Sequence, residues 1–112
     1  MKHAFTQLHL GDWEHGLAKP IAVLALEPKQ ISERTGLKFE TTRDDLDYLQ
    51  AALFRTANGT QFALARHQHA PKPGTELVAN ERTDDLSRAL EDAMAALGVD
   101  MTELAWVHPE IS

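Results

Sequence analysis

The most informative hydrophobic pattern is that of residues 46–69, where two half-apolar stretches flank Asn58-Gly59. Alternation of period two sends successive side chains to opposite faces of a strand. Asn-Gly between two such stretches is the strongest short-range hairpin signal. A two-residue type I′ turn is expected, with both central residues at positive φ. That loop sets the pairing: Leu53 opposite Leu64, Gln50 opposite His67, and Tyr48 opposite His69. Leu49, Ala51, Leu53, Phe62 and Leu64 then share one face, the better core candidate. The other face is apolar near the turn and polar at its open end, where Tyr48, Gln50, His67 and His69 gather.

Helical spacing is clearest over residues 83–97, where Leu86, Leu90, Ala93 and Leu97 fall on one stripe. Thr83 is the expected N-cap, and Asp84 and Asp85 suit the positive end of the helix dipole. Gly98 closes the helix, with Val99 packing back on Met94. A shorter helix is expected over residues 28–35, opened by Pro28 and ended by Gly36. Weaker alternation predicts strands within residues 2–10, 76–80 and 102–108, with Trp106 in the core and residues 76–80 a candidate sheet edge. Residues 21–26 are apolar but too short to distinguish helix from strand. Residues 11–19 read as a loop. Residues 70–75 form a stiff turn containing Pro71, Pro73 and Gly74.

The expected order is β-α-β-β-β-α-β, an α+β fold with a small antiparallel sheet and both helices on one face. The 112 residues are one domain's worth, residues 1–112, and 43% hydrophobic with 25% charged content is that of a globular chain. There is no cysteine, so disulfide and thiolate chemistry drop out. No apolar segment follows Met1-Lys2, and the longest apolar run is far short of a bilayer span. A soluble, cytoplasmic protein without membrane contact is expected.

Charge is asymmetric. Residues 1–80 balance nine Lys/Arg against nine Asp/Glu; residues 81–112 carry two against eight, so the whole net charge of −6 lies there. Such a surface repels phosphate and favours a basic partner.

Two histidines form the best chemical candidate. His67 and His69 are spaced i, i+2, so on a strand both imidazoles reach one metal ion. Asp45 or Asp47 lies nearby in sequence, but no spacing names a third ligand. No other cofactor is expected. No G-x-S-x-G or other nucleophile motif is present. Trp13, in a polar loop, is either a lid on the core or an exposed anchor for a partner.

Residues 31–39, running Ile-Ser-Glu-Arg-Thr-Gly-Leu-Lys-Phe, resemble the first half of bacterial helix-turn-helix modules. The resemblance implies a second helix over residues 42–54, capped at Thr42, and makes the hairpin the wing of a winged-helix DNA-binding regulator. Charge opposes it: Asp44, Asp45 and Asp47 stand where base and phosphate contacts are made, offset by Arg43 and Arg55 alone.

The sequence therefore points to binding rather than catalysis. It suggests an inhibitor, immunity or antitoxin-like module, or a regulatory subunit, that presents Asp84, Asp85, Glu91 and Asp92 to a basic protein.

Overall fold

The computed structural model describes residues 5–13, 18–43, 47–80, 83 and 85–111. Their chain order is β1 (Phe5–Leu8), β2 (Ala18–Leu24), α1 (Pro28–Thr35), β3 (Glu40–Arg43), β4 (Tyr48–Thr56), β5 (Gln61–His67), β6 (Thr75–Asn80), α2 (Leu86–Leu97) and β7 (Leu104–Val107). The seven strands form one antiparallel sheet, ordered β1-β4-β5-β6-β2-β7, with β3 also on β4. The α+β class is as expected. The apolar residues after Pro20 belong to a strand, and β3 is an addition. Its four side chains are all exposed, so no apolar alternation marks it.

The hairpin forms, but with a different turn. Gly59 N–H donates to Thr56 O at 2.9 Å, and Thr56 N–H donates to Thr60 O at 3.0 Å. Gly59 has φ +88°, while no described non-glycine residue has positive φ. The loop is therefore three residues, Ala57 to Gly59, with a left-handed glycine in its last position. One extra loop residue moves the pairing by one. Phe54 faces Phe62, Ala52 faces Leu64, and Leu53 faces Ala63. Because strand periodicity is two, that step exchanges the faces. Phe54, Phe62 and Leu64 point toward the helices, while Ala51 and Leu53 stand on the reverse face.

The main core fills the helix side. Phe54 stacks on Phe62 with ring centroids 5.5 Å apart, and Phe5 meets Phe54 edge-on at 5.7 Å. Leu77, Ala79, Ala22 and Leu24 extend this layer across β6 and β2, and Ile31 of α1 closes on it. Seven residues of α2 are buried, Leu86, Ala89, Leu90, Ala93, Met94, Ala96 and Leu97, the stripe its spacing predicts. The helix starts later than expected. Asp85, not Thr83, is the N-cap, and its carboxylate accepts from Arg88 N–H at 3.1 Å. Gly98 takes φ +70°, and Val99 N–H donates to Met94 O, completing the expected C-terminal cap.

Both ends of β4 share one edge. β1 pairs with Leu53 to Thr56, and β3 pairs with Tyr48 to Ala51. Gln7 joins the two short strands. Its amide donates to Lys38 O at 2.7 Å and accepts from Lys38 N–H at 3.0 Å, standing in for a missing rung of ladder. This pairing also settles the helix-turn-helix alternative. Residues 40–43 and 48–56 are strands, so no second helix spans them. β6 lies between β5 and β2 and is not an edge.

Arg34 at the end of α1 ties the helices together. Its guanidinium forms an ion pair with Glu103 and donates to Gly98 O at 2.8 Å. No helix among the described residues is long and apolar enough to cross a membrane.

Candidate functional site

β7 decides what the reverse face of the sheet presents. Strict alternation puts Leu104 and Trp106 on one side. The register of β7 on β2 instead shifts between Val23 and Leu24: Trp106 faces Val23, yet Leu104 faces Leu24. The irregularity lets Leu104 and Val107 both pack on the main core. Trp106, expected in the core, turns to the reverse face and keeps 43% of its surface exposed.

Opposed residues of antiparallel strands share a face. Val23 opposes Trp106 on one side and Glu76 on the other, and Glu76 opposes Ala65. Trp106, Val23, Glu76 and Ala65 therefore form one row across four strands. Neighbouring strands lie about 4.8 Å apart, so the Trp106 and Glu76 backbone positions flank Val23 at roughly 10 Å from each other. Ala65 is small and Val23 short, which leaves a trough of about 430 Å³. Trp106 and Ala105 wall one side, and His67 with the proline turn walls the other. Glu76 is half-buried, and its carboxylate has no ion pair or hydrogen bond among the described residues.

The proline turn is a rigid wall. Arg66 donates to Lys72 O at 2.7 Å and Gly74 O at 2.9 Å, and pairs with Glu27 at 3.3 Å. Glu27 in turn accepts from Gly74 N–H at 2.8 Å. Gly74 has φ +108°, and a Cβ there stands 2.5 Å from Leu24 O. Only glycine lets the turn lie this close to β2.

The polar residues expected together at the open end of the hairpin are divided by the one-residue shift. Gln50 opposes Arg66, and His67 opposes Leu49 on the other face. Tyr48 is 53% exposed and lines, with Gln50, Thr41 and Arg66, a separate hollow of about 340 Å³. Arg43 lies over the Tyr48 ring, 5.6 Å from its centroid. His69 lies beyond β5 and turns to Asp47, its Nδ1 2.9 Å from one carboxylate oxygen while its backbone N–H donates to the other at 3.0 Å. Those bonds, the backbone one foremost, hold the Asp47 carboxyl below the usual carboxylate range. Among the described residues no three His, Asp or Glu side chains converge on a metal position. Asp44 and Asp45 lie outside the described residues.

Of the acidic set, Asp85 and Asp92 line one hollow of about 370 Å³ together with Arg88, and both carboxylates serve the fold. Asp85 caps its own helix. Asp92 accepts from Thr56 Oγ1 at 2.6 Å and from Asn58 Nδ2 at 3.0 Å, so both its oxygens are bonded within the fold. Glu91 is exposed. Asp84 lies outside the described residues. Trp13 is half-buried, following a 3-10 turn (Leu10–Asp12) set against β4 and held there by the Gln61 amide, which donates to Asp12 O at 3.3 Å.

Sequence reasoning missed Glu76 and the exposure of Trp106. Glu76 is the lone charge in its strand, and that was the available signal. Comparison with protein-family models, curated proteins and solved structures finds no match to this chain.

Proposed function

We propose that this protein is a small cytoplasmic, non-enzymatic module of the inhibitor, antitoxin or regulatory-subunit kind. It binds another protein through the reverse face of its sheet at Trp106. The observation that carries the reading is the half-exposed indole on a strand whose other large residues, Leu104 and Val107, pack on the core. A tryptophan standing over a shallow trough is the kind of anchor that dominates binding energy at interfaces. The acidic face of α2 is the weaker surface, because the Asp85 and Asp92 carboxylates already serve the fold.

Affinity capture from the native host, quantified by mass spectrometry, tests this. Trp106→Ser is expected to cut recovery of a specific partner at least tenfold, since losing an anchor costs about 2 kcal/mol or more. Glu91→Gln is expected to leave recovery unchanged. Undiminished recovery with Trp106→Ser, together with loss in Glu91→Gln, returns the interface to α2.

A further inference from the structure

We propose that the trough beside Trp106 receives a cationic side chain, an arginine or lysine of a basic partner segment, between the indole and the Glu76 carboxylate. This rests on the reading of the reverse face as a binding surface and adds the chemistry of what is bound. Trp106 and Glu76 flank Val23 in one cross-strand row. The two residues rise from positions one strand spacing, about 5 Å, to either side of Val23. That placement allows a cation seated over Val23 to contact the indole. It also brings the cation within reach of a carboxylate that has no ion pair or hydrogen bond among the described residues.

Val23 and Ala65 supply a low apolar floor for the aliphatic stem. Arg66 cannot fill the place itself, since it is spent on Glu27 and on two carbonyls of the proline turn. Lys72 stands on that turn at the rim and repels a cation there, which favours the Trp106 end. The chain's net charge of −6 attracts a basic segment as a whole.

A blocked, fluorescein-labelled tri-arginine peptide is the probe, with tri-citrulline as its neutral isostere. Anisotropy titrations at low salt are expected to show saturable binding of tri-arginine. Tri-citrulline should bind at least tenfold more weakly. Glu76→Gln and Trp106→Ala should each weaken tri-arginine at least fivefold, and Glu33→Gln, which removes one exposed charge on α1, should leave it within twofold. In a Trp13→Phe background, where Trp106 is the sole indole, the unlabelled peptide should change the emission with the same affinity. Circular dichroism and urea midpoints establish that each variant is folded. Equal binding of the two peptides, parental binding by Glu76→Gln, or no saturable binding overturns the proposal. If tri-arginine fails while partner capture still depends on Trp106, the cation is wrong and the binding face stands. If capture is also indifferent to Trp106, both fall.

Discussion

Asp92, in the middle of α2, accepts the Thr56 hydroxyl at 2.6 Å and the Asn58 amide at 3.0 Å. Thr56 immediately precedes the hairpin loop and Asn58 is its central residue, so one carboxylate docks the last helix onto the central turn. Thr56 is 5% exposed, and without Asp92 its hydroxyl loses that partner in a nearly dry position. Asp92→Ala is expected to destabilise the protein by about 1–3 kcal/mol, the cost of an unmade buried hydrogen bond to a charged group. Urea denaturation reads it as a lower midpoint at constant slope. An unchanged midpoint means that the bond contributes nothing. Replacing Asp92 together with Asp84, Asp85 and Glu91 is thus a poor test of partner binding, because it destabilises as well as neutralises.

Two glycines in left-handed conformations separate backbone strain from steric conflict. Gly59 has open space around a built Cβ, whereas at Gly74 that atom meets Leu24 O at 2.5 Å and Val23 Cγ1 at 2.9 Å. Gly59→Ala is expected to cost about 1–2 kcal/mol, the left-handed penalty alone. Gly74→Ala should cost more, about 3 kcal/mol or above, because strand β2 or the turn must also move. Thermal melts of the two variants give the ranking. Equal losses mean the turn yields without resistance.

The Phe5–Phe54–Phe62 cluster sets the scale of the core. Phe54 and Phe62 are fully buried. Phe54→Ala should cost about 3–5 kcal/mol, a large fraction of the stability of a domain this size. Tyr48→Ala, at a 53% exposed ring on the same face of the same strand, should stay within about 0.5 kcal/mol. A small effect at Phe54 argues against the observed register.

Acid should loosen the junction between α1, α2 and β7. The hydrogen bond with Arg34 holds Glu103 below its ordinary carboxyl range, and the Thr102 hydroxyl and N–H do the same for Asp100. Hydrogen bonding to Glu103 raises Arg34, which stays charged throughout. A carboxyl whose folded pKa is depressed stabilises the fold fully above its unfolded value, about 4, and loses that contribution as pH falls through the lowered folded value. Glu103→Gln should therefore lower the urea midpoint at pH 7 and have a shrinking effect as pH drops below about 4. An effect independent of pH removes the charge from the explanation.

How far the fold was legible in the sequence varies element by element. α1 and α2 were plain because a helix carries its own signals: Pro28 at one start, Gly36 and Gly98 in left-handed caps, and a stripe of leucines. β3 was invisible, since a strand with four exposed side chains has no alternation to show. Its strand character comes from pairing with β4 and from Gln7, whose amide reaches Lys38 across 31 residues. Asn58-Gly59 marked the turn, but the two-residue loop expected from it is one residue too short. A left-handed Gly59 suits a two-residue or a three-residue loop, and the docking of Asp92 onto Thr56 and Asn58 accompanies the longer one.

The candidate site shows the same division. His67 and His69 were conspicuous by spacing, yet spacing says nothing of where a strand stops. β5 ends at His67, and Asp47 holds His69 beyond it. Trp106 was conspicuous by size and was expected inside, because alternation assumes an unbroken pleat.

The sequence alone determined what is local: one small α+β domain, two capped helices, a central hairpin, and an acidic final third. Tertiary structure decided what depends on register. One residue added to the hairpin loop brought Phe54 to Phe62, and one irregularity against β2 turned Trp106 outward beside Glu76. The reason is the period of a strand: a single-residue step exchanges its faces, and that step is set by neighbouring strands and helices far away in the chain.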